Sequence, residues 1–426
     1  MADGAGDTTL DTFRAEARGW LEANFPASLK GRAGAAMAEL DGGRPTGDGA
    51  AWLKAIGEKG WTAPTWPTEY GGGGLTGKQA RVLQEEMDRA GAFNPILGFG
   101  MGITMIGPTI LDYGTPEQKA KHIPPIVRGD LRWCVGYSEP GAGSDLASLQ
   151  TKCVDAGDHW VINGQKIWTS GAQWSDWCGM LVRTDFDAKK HDGISFMLVD
   201  MHQPGIETRL IKLISGDSPF CETFITDAVA AKDALLGELN HGWTVGKRLL
   251  QHERASQTGA RPSGARAVPL NEVAKRYVEV DDKGRIADPD LRTRLAEHLM
   301  HVRAHGLTIA RAMAEARGNN SPSNAPSVLK NSASVIGQTQ AELTLEIMGH
   351  QGLGWEGDGF SSDETEAVRG WLFGKAMSIY GGSAEIVAVR SWLAGKAMSV
   401  YGGSFEIQNN IISKRILGLP ETTQSS

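Results

Sequence analysis

The stretch Trp133–Gly171 constrains this chain more than any other, because it admits β structure and little else. Trp133–Tyr137 alternates like a strand and runs into Ser138-Glu-Pro-Gly-Ala-Gly-Ser-Asp145, a turn dense in Gly, Pro and Ser. Leu149–Val154 and His159–Ile162 alternate again across Asp155–Asp158. Asn163-Gly164 then reads as a turn into Lys166-Ile-Trp-Thr-Ser170. The same period of two continues to about Leu236, with strand candidates Trp177–Arg183, Gly193–Asp200, Glu207–Leu213 and Glu222–Val229. Short strands at this spacing predict a small antiparallel barrel or sandwich.

Both flanks are helical. Apolar spacing predicts helices over 10–25, 52–59, 78–90, 243–257, 270–280, 289–317 and 326–348. Thr115-Pro116-Glu117 is a helix start, Thr capping and Pro in the first turn. The fold class is therefore α+β: an N-terminal helical domain (1–131), a middle β domain (132–240) and a C-terminal helical bundle (241–426). Tyr70-Gly-Gly-Gly-Gly-Leu75 has neither a preceding strand nor a following Gly-Lys-Ser/Thr, so it reads as a flexible turn, not a phosphate loop. His298, His301 and His305 share one helical face without a carboxylate to complete a metal site, and read as an interface face.

With 41% hydrophobic and 22% charged residues and a net charge of −7, the chain has the balance of a globular protein and no pull toward nucleic acid or anionic membrane. No apolar run approaches the roughly 20 residues of a membrane span, and the first residues have no signal-peptide pattern. The four cysteines (Cys134, Cys153, Cys178, Cys221) lack CxxC spacing. Buried, reduced thiols of a cytoplasmic protein are expected.

Hydroxyls and backbone amides at strand ends, with a Trp beside them, suit a flat aromatic ligand with polar edges, which an isoalloxazine ring is. Three motifs carry a specific likeness: Tyr137-Ser-Glu-Pro-Gly-Ala-Gly-Ser-Asp145, Asn163-Gly-Gln-Lys-Ile-Trp-Thr-Ser170, and the tail Glu406-Ile-Gln-Asn-Asn-Ile-Ile-Ser-Lys-Arg-Ile-Leu-Gly-Leu-Pro420. Through them the chain resembles the acyl-CoA dehydrogenases over nearly its whole length. The resemblance implies FAD held between the β domain and the C-terminal helices, an acyl-CoA substrate of lipid breakdown, an electron-transferring flavoprotein as electron acceptor, and a dimer of dimers. It implies cofactor contacts from Tyr137, Ser138, Gly143, Ser144, Trp168, Thr169 and Ser170. Ser138 would face the pyrimidine edge, Ser144 would lie near the acyl-CoA, Trp168 would pack on the ring, and Ser170 would reach N5 or O4.

In this family an α-proton leaves to a carboxylate while the β-hydrogen leaves as hydride to flavin N5, and a dry site raises that carboxylate's affinity for protons. Many relatives carry the Glu after Tyr in a C-terminal Tyr-Glu-Gly-Thr segment. Here glycine stands there, Gly381 or Gly402. Relatives similar to isovaleryl-CoA dehydrogenase place the Glu on an earlier helix, before an Arg, and Leu249-Leu-Gln-His-Glu-Arg254 has that pair. The resemblance thus implies Glu253 as base, supported by Arg254.

Departures from the family pattern gather at the C-terminal side. Residues 369–386 and 390–407 form a tandem repeat, identical at 14 of 18 positions. An offset of 21 residues spans ~31 Å if helical, so both Tyr-Gly-Gly-Ser copies do not fit one site. The normal tail follows the second copy, which favours Gly402, Gly403, Ser404 and Glu406 at the flavin over Gly381–Ser383. Gly259–Arg266 and Glu346–His350 lack the usual FAD-holding motifs. These departures resemble members that assemble from two related subunits, so homotetramer and hetero-oligomer both stay open. Two other roles stay open too: a non-catalytic subunit completing a partner's site, and a flavin oxidase or monooxygenase on the same fold.

Overall fold

The computed structural model describes residues 4–31, 40–41, 44–98, 101–259, 269–318 and 325–378. They divide into two compact units. One holds 1–139, 147–211 and 219–266; the other holds 140–146, 212–218 and 267–426.

The first unit opens with α1 (Gly4–Asn24), a minimal hairpin β1 (Leu40–Asp41) and β2 (Arg44–Pro45), then α2 (Gly47–Glu58), α3 (Gly77–Ala90), α4 (Gly107–Tyr113) and α5 (Pro116–Arg128). Thr76 and Thr115 start α3 and α5 with reciprocal capping boxes to Gln79 and Gln118, and left-handed Gly91 and Gly129 end them. Phe13, Ala17 and Leu21 of α1 pack with Trp52, Trp61, Leu83 and Met87. Glu86, buried in α3, accepts from Arg14, Arg18 and Arg89 at 2.8–3.1 Å. The Arg18 hydrogen bond leads in drawing its carboxyl down to about 2. The glycine-rich turn is close-packed where a loose one was expected. A Cβ on Gly72 would lie 2.4 Å from the Trp66 carbonyl oxygen, and one on Gly73 2.7 Å from that of Pro64.

The sheet comprises β3 (Trp133–Gly136), β4 (Lys152–Asp155), β5 (His159–Ser170), β6 (Trp177–Arg183), β7 (Ile194–Asp200), β8 (Ile206–Ile211) and β9 (Phe220–Ala231). Its order is β3-β6-β4-β5-β9-β8, with β7 also on β6. The β4-β5-β9-β8 run and the β6-β7 pair are antiparallel, whereas β3 and the end of β4 join β6 in parallel. The pairing is thus mixed, where an antiparallel barrel was expected: the β4–β5 hairpin intervenes between β3 and β6, so no tight turn joins them. A second difference lies at Asn163-Gly164, which is no turn. β5 runs unbroken, and its register with β9 shifts there because Asp227 adds a residue at φ 50°. Asn163 and Asp227 tie the bulge with two 2.9 Å hydrogen bonds.

Helix α6 (Gly242–Gly259) completes the first unit. The second contains α7 (Leu270–Tyr277), α8 (Pro289–Gly318), α9 (Ala325–Met348) and α10 (Ser362–Gly374) around Leu270, Ala274, Leu291, Leu295, Leu343 and Ile347. Asp288 caps α8, accepting from the Asp290 and Leu291 amides. His298 is buried, and His305 Nδ1 lies 2.7 Å from Ser332 Oγ. Among the described residues no three His, Cys, Asp or Glu side chains gather as a metal site, and no helix is long and apolar enough to cross a membrane. All four cysteines are buried in strands and unbridged.

Candidate active site

β3 delivers Tyr137, Ser138 and Glu139 to the edge of the sheet. The Ile167 amide donates to the Ser138 carbonyl at 2.9 Å, which ties this segment to β5. Beneath the tie lies Lys166, fully buried, whose Nζ donates to Tyr137 O at 3.1 Å and Glu139 Oε1 at 2.8 Å. Glu139 also accepts from the amides of Gln150 (2.6 Å) and Thr151 (2.8 Å). Burial raises the proton affinity of Glu139, but the Lys166 charge and these donors outweigh it and hold the carboxyl below its ordinary value. Burial draws the Lys166 ammonium down against the pull of Glu139.

The next residues of β5 hold the most unusual backbone of the first unit. Lys166 pairs with Thr223 and Thr169 with Cys221, so Ile167 and Trp168 together oppose one residue of β9. Trp168 absorbs the extra length with φ +62°. A left-handed conformation on a bulky residue is strained by ~1–3 kcal/mol and turns its side chain out of the pleat's alternation. The indole meets Phe220 edge-on at 6.0 Å, and its Nε1 is buried without a hydrogen-bond partner among the described residues. Thr169 turns inward, its Oγ1 accepting from Thr223 Oγ1 at 3.2 Å, while Ser138 and Ser170 are half-buried at the strand ends. An indole N–H unpartnered among the described residues, a strained backbone that re-aims the indole, and two partly open hydroxyls fit a flat, polar-edged ring such as that of FAD.

Helix α6 carries Glu253, the residue that the resemblance implies as base. Gly242 begins it with no room for a side chain: a Cβ would lie 2.2 Å from the backbone of Ser195 on β7. Further along, the Tyr137 hydroxyl donates to the Gly246 carbonyl at 3.2 Å. Burial, then the charge of Glu253, pushes the Tyr137 phenol well up. Glu253 is half-buried and electrostatically coupled to the end of β3. Its neighbour His252 turns away, Nε2 2.9 Å from Asp112 Oδ2, an oxygen that also accepts from Arg248 Nε at 2.7 Å. The Arg254 backbone lies in α6; its side chain is outside the described residues.

Against α6 also packs a π-helical turn, Gly102–Ile106. Met105 is buried in it, Met101 before it is half-buried, and Leu97 is exposed. A polar cleft of about 310 Å³ opens at the start of α6, lined by His191, Asp192, Asn240, His241, Trp243, Thr244 and Lys247. Gly143 and Ser144 lie on 140–146, within the second unit, Gly143 half-buried and Ser144 exposed. Gly402, Gly403, Ser404 and Glu406 are outside the described residues, as are Gly381–Ser383.

Sequence reasoning quoted Glu139 and Lys166 inside motifs and gave them no role. The signal was present. Trp160, Ile162 and Lys166 share the parity of β5 that faces the core, and a Lys there needs a buried partner. The Trp168 bulge had no comparable sign.

Comparison with known proteins gives these features a common setting. The family models for the acyl-CoA dehydrogenase N-terminal, middle and C-terminal domains match residues 10–130, 134–228 and 240–391. The chain is 35% identical to Acyl-CoA dehydrogenase IpdE1 of Mycolicibacterium smegmatis, over 96% of this chain and 98% of that one. It is 36% identical to Acyl-CoA dehydrogenase IpdE1 of Mycobacterium tuberculosis, with the same coverages. Among solved structures it is similar to the Tcur3481-Tcur3483 steroid ACAD, at 29% identity and TM-score 0.72, over 97% of this chain and 98% of that one. The ChsE4-ChsE5 complex from Mycobacterium tuberculosis matches at 28% identity and TM-score 0.69, with the same coverages. Members of the family are FAD-binding oxidoreductases with two helical domains around a curled sheet, and this chain belongs to the acyl-CoA dehydrogenase family.

Proposed function

We propose that this chain performs α,β-dehydrogenation of an acyl-CoA thioester with Glu253 as the base. The observation that supports the reading is the hydrogen bond from the Tyr137 hydroxyl to Gly246 O at 3.2 Å, which ties the helix that carries Glu253 to the strand end that bears Ser138. Glu253 takes the α-proton as its carboxylate becomes a carboxylic acid, and the α,β double bond forms as the β-hydrogen departs. FAD, when bound, would supply the hydride acceptor, and an electron-transferring flavoprotein would take the electrons. Ser138 and Ser170 would orient the ring, Trp168 would cover it, and Thr169 would contribute through its backbone, its side chain being buried against Thr223; the resemblance gives Gly143 and Ser144 to the thioester loop. The resemblance gives Gly402, Gly403, Ser404 and Glu406 to the flavin and Arg254 to the support of the base.

The polar cleft supports recognition of the nucleotide end of CoA. Lys247 offers a cation and His191 and His241 offer ring N–H donors for phosphates, and Trp243 offers a ring for a base. From Trp243 to Glu253 the helix rises ~15 Å, a span that a pantetheine arm covers. The acyl chain would run past Met101 and Met105. The likeness to a steroid ACAD favours a bulky, ring-bearing acyl group. Four unbridged cysteines favour a reducing compartment, the cytoplasm.

A second reading concerns assembly. The tandem repeat, with two similar structures whose names join two proteins, favours pairing with a related subunit over a homotetramer. Anaerobic bleaching of the flavin by straight, branched and ring-bearing acyl-CoAs tests the reaction and the substrate class together. Bleaching by a ring-bearing thioester supports the proposal, and none by any thioester contradicts it. A purified chain that is colourless, and active only beside a homologue, would identify it as half of a shared site.

A further inference from the structure

We infer that the buried Lys166–Glu139 pair is a positioning device for the flavin edge, clamping the end of β3 to the bulge of β5. This rests on the flavin-site reading above. The ammonium bridges two segments that are distant in sequence: it donates to Tyr137 O on one side of Ser138 and to Glu139 Oε1 on the other, at 3.1 and 2.8 Å. Ser138 is therefore straddled by both ends of one ion pair. Its own carbonyl accepts from Ile167 N at 2.9 Å, immediately after Lys166 and immediately before the left-handed Trp168. Glu139 is anchored in turn by the Gln150 and Thr151 amides, so a third segment holds the clamp.

Stability alone is a poor reason for this arrangement. A buried ion pair is often replaceable by apolar groups without loss of stability, whereas removing one partner strands a charge. What apolar groups do not supply is the pair of directed bonds around Ser138 that sets how the strand end meets a strained Trp168. Lys166 and Glu139 touch no substrate in this account. They act through Ser138 and Trp168, and they are positioning residues.

The test is the double variant K166M/E139Q in the full chain, read by thermal melting, FAD affinity, the visible circular dichroism of bound flavin, and acyl-CoA bleaching. The expected result is a melting temperature close to wild type, an altered flavin dichroism, an unchanged KM, and bleaching slowed on the order of 100-fold, the effect of a ~1 Å misplacement. Wild-type dichroism and bleaching would overturn the inference, and so would a loss of activity that only tracks a loss of folded protein. If the double variant fails to fold, K166R decides, because it keeps the charge and moves its donors. A folded K166R with altered dichroism and slowed bleaching supports positioning, whereas wild-type behaviour or failure to fold overturns it. Failure of the flavin-site reading itself is distinguishable, since the unmodified chain would then bind no FAD.

Discussion

The Tyr137 hydroxyl donates to the Gly246 carbonyl at 3.2 Å, two helical turns before Glu253 on the same helix. One hydrogen bond thus links the strand end at the flavin edge to the helix that carries the proposed base. Gly246 has no side chain to obstruct it: a Cβ there would lie 3.3 Å from that hydroxyl.

Tyr137→Phe removes this bond and little else. The loss of one buried hydrogen bond lowers stability by about 1 kcal/mol, with FAD retained. Because helix and strand end lose a common reference, acyl-CoA bleaching slows by roughly tenfold or less. Chemical denaturation and stopped-flow absorbance measure the two effects.

Gly242→Ala acts at the other end of the helix. The new methyl meets the backbone of Ser195 and Phe196, at 2.2 and 2.4 Å, so neither a rotamer change nor a side-chain shift relieves it. A destabilisation of about 3 kcal/mol is expected, and α6 must move off β7. Bleaching should fall alongside stability, and a variant that melts like wild type would contradict the packing described.

His122 gives the fold an acid-sensitive point. It sits between Trp133 and Trp177, ring centroids 5.2 and 4.8 Å away, and burial, then Lys121, draws its imidazole down to about 4. The folded value lies below the unfolded one, so the unfolded chain binds the extra proton first. Stability from the neutral ring is full above about pH 6.5, declines as pH falls toward 4, and changes no further below that. The drop is worth ~3 kcal/mol. His122→Phe should flatten thermal melting between pH 6.5 and 4 relative to wild type; an unchanged pH dependence would contradict the assignment.

Glu86 works at lower pH with the same sign. Its folded value near 2 lies below the unfolded one, so its contribution is full above about 4.5 and is lost as pH falls toward 2. Arg14, Arg18 and Arg89 remain partly solvated, which screens the interaction. Glu86→Gln is therefore expected to cost about 2 kcal/mol near neutral pH and almost nothing at pH 2, measured by urea unfolding.

Much of this was legible in the sequence because local chemistry and tertiary structure agree there. Thr115-Pro116 started a helix as read, Trp177–Arg183 formed a strand with the expected bounds, and Asp288 capped α8. Asn163-Gly164 misled because those residues serve a bulge as readily as a turn, and only pairing with Asp227 decides between them. Trp168 could not be foreseen in its left-handed conformation, because the strain is imposed by register with β9 and favoured by nothing in the residue itself. The hydrogen bond from Tyr137 to Gly246, on the helix of Glu253, spans more than a hundred residues of sequence, and no periodicity encodes it.

The most direct measurement is anaerobic flavin bleaching in Glu253→Gln. The amide keeps the shape of the side chain and cannot take the α-proton. The account predicts a yellow, folded variant with FAD bound, acyl-CoA still binding, and bleaching essentially abolished. Bleaching at near wild-type rate would contradict it and move the base elsewhere in the chain or onto a partner subunit.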